Sequence, residues 1–212
     1  AGKPRTGIDV YSPEQLGAID PELARRAYVA VVPTRNAASD TKREERRGMV
    51  IHAASPVRDA TGRVVAIVEA GVLLNGNLGF VDRINEIVYQ AGSLPLGSQG
   101  TTTLFLDDVR IATNVRLFEN RRALGTRVSL AVRDHVLGQG KTWLDTAFVV
   151  NDWYVSGYEP LYDTFDRRVG MLYVGYLETP FRLAKLTALA IMALVFALLS
   201  AAATLFFMRW AR

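Results

Sequence analysis

The sequence predicts an α+β protein: curved antiparallel sheets flanked by helices, followed by one C-terminal transmembrane helix. Three observations carry that expectation. Short runs with strand character, broken by turn residues, fill most of the stretch from residue 48 to residue 177, and only a few helix-patterned segments separate them. One strand–turn–strand is spelled twice, as SPVRDATGRVVAIVEAGVL at 55–73 and EPLYDTFDRRVGMLYVGYL at 159–177. Finally, Leu186 to Met208 contains no charged residue, and about 20 apolar residues suffice to cross the hydrocarbon core of a bilayer.

The repeat aligns without a gap. Pro56 meets Pro160, Asp59 meets Asp163 and Arg63 meets Arg167, while Val65, Gly71 and Leu73 meet Val169, Gly175 and Leu177. The shared pattern is an apolar run, a turn around Asp, a second apolar run and a Gly, which predicts a β-hairpin in each half. Internal repetition points to two related units. The same offset places the counterpart of the strand at 101–106 before residue 1, so part of the first unit is expected to precede this sequence.

From the N-terminus, residues 1–20 read as irregular, with a short turn at SPEQLGAI. DPELARRAYVAVV has Asp20 as N-cap and Pro21 at the first helical position, predicting a short helix. Residues 33–47 form a polar loop, and strands follow near 48–57 and 63–74. In NLGFVDRINEIVYQAG, residues 77–92, Leu78, Val81, Ile84, Ile87 and Val88 recur at helical spacing, which predicts an amphipathic connecting helix. SLPLGSQG then serves as a linker. Strands at 101–106 and 110–115 flank a turn at Asp107–Asp108. A helix near 127–137 stops at Gly138. Two more strands meet at Asn151–Asp152, and the strand at 167–177 closes the sheet. The expected division is a first, truncated unit at 1–76, a connecting helix and linker at 77–99, a membrane-proximal unit at 100–181 and the transmembrane helix at 182–209. Arg182 and Lys185 flank the apolar run on one side, Arg209 and Arg212 on the other, with Trp210 at the interfacial level that indole rings prefer.

Composition narrows the function classes. The chain has no cysteine, so no disulfide scaffold is expected. Its formal net charge of +4 is spread without a basic block. The densest cluster, TKREERRG at 41–48, mixes both signs and reads as a solvated loop, so no nucleic acid is expected as partner. LGQGKTW contains a Gly-Lys-Thr, but a phosphate-binding loop would need Gly in place of His135 and a strand ahead of it. Asp107, Asp108 and Asp163 read as turn formers. Neither a metal site nor a cofactor is expected, and no nucleophile stands at recognisable spacing from a His and an acid, so the chain is not expected to be an enzyme.

The stretches LFLDDVRIATNV, RALGTRVS, VLGQGKTWLDTAFVVNDWYVSGYEPLYD and VGMLYVGYLETPF resemble extracytoplasmic Cache domains, PAS-like sensor modules of bacterial transmembrane receptors. The first unit resembles the partner half of a double-Cache fusion of the Cache_3/Cache_2 type through RGMVIHAASPVRDATGRVVAIVEAGVLL. The resemblance implies two PAS-like units and a signal-input role outside the membrane. It also implies a cytoplasmic output, such as a histidine kinase of a two-component system, a chemoreceptor module or a cyclase. It further places residues 1–181 on the periplasmic side of the bacterial inner membrane and the C-terminus in the cytoplasm, and it implies a homodimer.

Candidate binding residues lie in the second unit. Alternation along Trp153–Pro160 puts Tyr154, Ser156 and Tyr158 on one face and Trp153, Val155 and Gly157 on the other. Two phenols and a hydroxyl suit a pocket that orients a small polar ligand. The resemblance implies a hairpin Arg with a polar residue three positions on, which falls on Arg110 and Thr113. An Arg fork matches the two oxygens of a carboxylate. Tyr173, on the neighbouring strand, completes the expected set, and the expected ligand is a small organic acid. The alternative for Arg110 is a solvent-facing position, and for the tyrosines simple core packing. On the equivalent face of the first unit, Val50, His52 and Ala54 predict a more apolar surface with His52 as an ordinary core residue. His135 is expected to be solvated. A ligand-free, membrane-anchored structural protein is the competing reading of the whole chain.

Overall fold

The computed structural model describes residues 3–39, 41–94, 98–117 and 121–211. Arg212, residues 95–97 of the expected linker and residues 118–120 lie outside them. The chain begins with a strand, β1 (Arg5–Tyr11), where irregular structure was expected. The expected turn after it is a full helix, α1 (Pro13–Ile19). It is held by a capping box in which Ser12 accepts from the Gln15 amide and Gln15 accepts from the Ser12 amide. Asp20 caps α2 (Pro21–Ala27), with Pro21 in the first turn. This helix stops short of the expected run because the β-branched residues that follow favour extended backbone. They form β2 (Val29–Ala30), paired with β3 (Glu44–Glu45).

Two long strands come next, β4 (Gly48–Arg58) and β5 (Val64–Leu73), which with β1 make a three-stranded antiparallel sheet in the order β1-β4-β5. Helix α3 (Leu78–Val88), capped by Asn77, leads to the second sheet. That sheet comprises β6 (Gly100–Leu106), β7 (Val109–Thr113), β8 (Trp143–Val149), β9 (Asp152–Tyr162) and β10 (Arg168–Leu177). Its order is β7-β6-β10-β9-β8, antiparallel throughout. Between β7 and β8 lies α4 (Leu130–Arg133), shorter than the expected helix and continued by a π-helical turn over Asp134–Gly138. The turn into β9 falls one residue early, with Val150 in the left-handed region at φ 61°. Helix α5 (Glu178–Trp210) follows β10 with no residue between them.

Of the two expected PAS-like sheets, only the second has five strands; the first has three among the described residues. The repeated hairpins are nevertheless turned by the same chemistry. Asp59 Oδ1 accepts from the amides of Thr61 and Arg63, and Asp163 Oδ1 accepts from those of Phe165 and Arg167. In each, the Asp amide donates to the carbonyl of the Arg four residues on, and the Arg side chain returns to the carboxylate. The second oxygen and the two amides are thus satisfied within five residues, which fixes the turn locally.

The five-stranded sheet has two covered faces. One packs Leu104, Leu106, Ile111 and Val169 against Met49, Leu74 and Val81, joining the sheet to β4 and α3. The other carries Phe105, Met171, Tyr158 and Tyr173 under Val115, Ala123, Val128, Val132 and Val136. Burial of such side chains contributes roughly 1.5–3 kcal/mol each, so both layers are held by ordinary apolar packing. Helix α5 has no buried residue and is long and apolar enough to cross a membrane. Its Thr187 and Thr204 hydroxyls donate to carbonyls four residues back, at Leu183 and Ser200, which pairs both donors within the helix.

Polar ties bind the first sheet to α2 and to the β6–β7 turn. Buried Asn75 donates to the carbonyls of Ala27 and Arg47 and accepts from the Met49 amide. The segment at 41–48 is not the solvated loop its charge suggested: Glu45 is buried in β3 between Lys42 at 2.6 Å and Arg47 at 2.7 Å, and Arg47 also reaches Asp107. Burial alone would raise the Glu45 pKa, but hydrogen bonds from Arg47 and Lys42 outweigh it and hold the carboxyl at about 2. A depressed folded-state pKa gives stability that is present above the unfolded value near 4.5 and lost as pH falls through about 2. Glu45→Gln is therefore expected to lower stability at neutral pH by on the order of 2 kcal/mol and to flatten the acid limb of the unfolding curve between pH 4.5 and 2. Parallel denaturation series for the two proteins check this.

Candidate functional site

A bulge in β7 builds the site. Leu104 pairs with Ala112, but Phe105 pairs with Arg110, leaving Ile111 as an extra residue opposite no partner. Residues three apart normally face opposite sides of a strand. The inserted residue restores them to one face, so Arg110 and Thr113 lie on the same side as Phe105 and Thr103. Register extends this face across the sheet: Thr103 is paired with Tyr173, Tyr173 with Tyr158, and Gly175 with Ser156. Tyr154 and Ser156 follow by strand alternation. All six expected residues, Arg110, Thr113, Tyr154, Ser156, Tyr158 and Tyr173, are thus brought to one buried face.

Arg110 is 2% exposed, contrary to the solvent-facing alternative. Its guanidinium carbon lies 5.1 Å from the centroid of the Phe105 ring, within cation–π range. The rings of Tyr158 and Tyr173 are 4.7 Å apart, and Phe105 is 6.2 Å from Tyr158. Among the described residues Arg110 has no carboxylate partner; its Nε and Nη1 are buried without a hydrogen bond. Trp143, whose position in β8 is paired with Tyr158, has a likewise unpartnered Nε1. A buried donor left unsatisfied costs roughly 1–3 kcal/mol, more when it is charged. Burial lowers the Arg110 pKa, partly offset by the surrounding tyrosines, yet a guanidinium stays protonated in proteins.

Burial also pushes the phenols of Tyr154, Tyr158 and Tyr173 upward, with Arg110 pulling the other way. They remain O–H donors at neutral pH. The core therefore presents a fixed cation and several neutral donors, with no fixed negative charge among the named side chains. Thr113 is less available than expected: its hydroxyl is bonded to Thr103 at 2.6 Å and accepts from the Val115 amide. Its contribution is to fix the end of β7.

The face also contains Thr101, Thr103 and Phe105, which sequence reasoning did not assign to it. Their i, i+2 spacing on β6 was the available signal. Thr101 connects the buried cluster to solvent. Its hydroxyl lies 3.0 Å from the Tyr173 hydroxyl, and it lines a polar cleft of ≈ 580 Å³ with Tyr154, Asn114, Arg122 and Leu177. Arg122 is held on that cleft by Asp82 through two hydrogen bonds of 2.7 and 2.8 Å. The cleft opens at the end of the sheet from which α5 leaves. Gly175 keeps room for the phenol beneath, since a Cβ there would lie 2.4 Å from the Tyr173 oxygen.

Other sequence expectations are corrected here. Asp108 stands with Asp107 in the expected turn between β6 and β7, but its carboxylate is also a buried partner of Arg127, at 2.6 Å. His135 stacks edge-on to Trp143 at 5.5 Å, with its Nε2 3.2 Å from the Thr142 carbonyl. His52 borders apolar residues but also lies between two carboxylates: Nε2 is 2.8 Å from Asp9 and Nδ1 3.0 Å from Glu69. Among the described residues, no three His, Cys, Asp or Glu side chains group so as to hold a metal ion.

A five-stranded antiparallel sheet with a roofed, donor-lined core thus runs straight into a helix long and apolar enough to cross a membrane. The chain belongs to the family described as single cache domain 3, whose model matches residues 72–186, just over half of its length. This membership supports an extracytoplasmic sensing domain of a receptor. Among solved structures, the periplasmic domain of Vibrio cholerae LuxQ is similar at 16% identity and a TM-score of 0.35, over 74% of this chain and 58% of that one. The selenomethionine form of the same LuxQ domain is similar at 15% identity and a TM-score of 0.36, over 82% and 70%. This chain thus spans less than two thirds of the first of these structures. No curated protein matches the chain.

Proposed function

We propose that this chain is the ligand-sensing input region of a bacterial transmembrane receptor, a sensor histidine kinase in the first instance, and that its ligand is a small carboxylate held by Arg110. The observation that carries the reading is the buried guanidinium with two unpaired N–H groups beside protonated phenols. A carboxylate accepts two parallel N–H bonds from such a fork and would turn an electrostatic cost into a charge-assisted contact. Hydroxyls of Tyr154, Tyr158 and Ser156 would orient it, and entry is from the Thr101–Tyr154 cleft. No catalytic step is assigned to this chain.

The route to the membrane is short. A ligand bridging β7 to β9 and β10 draws on strands in one sheet, and β10 ends at Leu177, directly before Glu178 of α5. Tyr176 packs on Phe181 at 4.6 Å across that junction. A shift of β10 therefore passes to the helix without a flexible linker to absorb it. The ligand changes the signal to the extent that it binds one of two sheet positions better. In this reading residues 1–181 lie outside the cytoplasmic membrane, Arg209 enters the cytoplasm as basic flanks do, and two copies act as a symmetric dimer. Chemoreceptor and cyclase outputs are alternatives for the same input.

Isothermal titration of the whole chain in lipid nanodiscs against short mono- and dicarboxylates tests the reading. At least one acid is expected to bind and, at 100 times its Kd, to stabilise the protein by about 2.7 kcal/mol; the matching amides and alcohols are expected to do neither. Absence of binding across the series, or binding that survives Arg110→Ala unchanged, would overturn the carboxylate site and favour the ligand-free structural reading.

A further inference from the structure

A second, separate pocket lies between the three-stranded sheet and the first two helices. It has a volume of ≈ 280 Å³, at the lower edge of the range for small-ligand sites. Its apolar wall is Leu16, Leu23, Val50 and Leu73, with Ile19 at an exposed rim. Gly71 keeps it open, because a Cβ there would lie 2.9 Å from Val50 and 3.4 Å from His52. The remaining wall is polar and consists of Tyr11, His52 and Glu69.

The hydrogen bonds of that polar wall leave it short of a donor. Asp9 accepts from the Thr164 amide and hydroxyl and lies 2.8 Å from His52 Nε2. With Asp9 an acceptor only, the proton of a neutral His52 belongs on Nε2. Nδ1 then carries a lone pair. It is buried without an aligned hydrogen bond, although Glu69 Oε1 is only 3.0 Å away. Glu69 Oε1 accepts from the Tyr11 hydroxyl at 2.9 Å, and burial together with that bond pushes the Tyr11 phenol up to about 12, so it stays a donor to Glu69. With His52 neutral, the wall thus holds the Glu69 carboxylate and an imidazole lone pair, with Asp9 behind His52 and no cation among the described residues that form it.

We propose that this pocket binds a short aliphatic ammonium, its alkyl chain against Leu16, Leu23, Val50 and Leu73 and its N–H groups on Glu69 and His52 Nδ1. An ammonium offers three donors, enough for both acceptors at once, and the pocket volume limits the chain to a few carbons. The site is independent of Arg110. It is also placed to modulate the same output: Asp9 ties its wall to Thr164 in the β9–β10 turn, at the far end of the hairpin whose second strand enters α5.

The test is titration calorimetry of the full chain in nanodiscs with n-butylammonium, n-butanol and n-butyrate, at a pH where histidine NMR shows His52 neutral. Binding of the ammonium alone is expected. Glu69→Gln, which keeps the side chain half-exposed and still able to accept from Tyr11, is expected to weaken it at least about tenfold, the scale of a lost charged hydrogen bond. Leu23→Phe, which fills the apolar end, is expected to abolish it, and Arg110→Ala is expected to leave it unchanged. Equal binding of butanol would show a merely apolar cavity. No ammonium binding would mean that the wall is satisfied by a proton on His52, and an unaltered affinity in Glu69→Gln would place the amine elsewhere. Each of these three results would overturn the proposal, and loss of binding in Arg110→Ala would assign the amine to the carboxylate core.

Discussion

Arg110→Met is expected to make the unliganded protein more stable and, at the same time, to abolish its response to carboxylates. These two effects have opposite signs because one side chain causes both. In the free protein Arg110 is buried with Nε and Nη1 unpaired, and its compensation among the site's named side chains is the face of Phe105. Even a buried ion pair replaced by apolar side chains of similar volume often gains up to about 1–4 kcal/mol, and an unpaired charge has more desolvation cost to shed. Met fits the slot without branching, and its thioether packs well against rings such as Phe105, Tyr158 and Tyr173. With the fork gone, a carboxylate would meet only phenols and a hydroxyl, and its affinity is expected to fall by at least about a hundredfold, the scale of a bidentate charged contact. Thermal unfolding with and without ligand measures both. A drop in the stability of the free protein would mean that Arg110 is a structural group satisfied in place, and would remove the main support for the ligand site.

Asp108→Ala is expected to cost about 3 kcal/mol or more, the largest single loss of stability anticipated for a polar residue here. Asp108 and Arg127 are 3% and 8% exposed, and two donors of the guanidinium, Nη2 at 2.6 Å and Nε at 3.1 Å, reach one carboxylate oxygen. Arg133 approaches the same oxygen at 3.5 Å. The Arg127 Nη1 donates to the Ala38 carbonyl and its amide to Thr34, so the ion pair also fastens the 34–38 loop to the second sheet. Removing Asp108 leaves a buried cation with only part of its hydrogen bonds. Replacing both partners, as Asp108→Leu with Arg127→Met, is expected to recover most of the loss. Denaturant midpoints of the single and double variants decide this; a single variant that loses less than about 1 kcal/mol would place the pair in the class of weak surface bridges.

Local chemistry was legible in the sequence alone. The two Asp turns, the alternation of Tyr154, Ser156 and Tyr158, and the uncharged length of α5 each depend on residues within one strand, one turn or one helix. The positions of Arg110, Glu45 and His52 were not legible in that way. Arg110 faces inward because an extra residue, Ile111, enters the ladder opposite Leu104 and Phe105, and a bulge is a property of two strands rather than of either one. Glu45 sits in a charge-rich stretch that reads as solvated, yet Arg47 and Lys42 fold over it and Asp107 joins them from the β6–β7 turn. His52 meets Asp9 and Glu69 because β1 and β5 flank β4 in register. β1 itself was missed, since its alternation is weak and its pairing supplies most of its order. Periodicity and turn chemistry thus determined most of the segments that extend or turn, and the one long and apolar enough to span a membrane. Only long-range register decided which charges would be buried together, because the energy of a buried charge depends on partners far away in the chain.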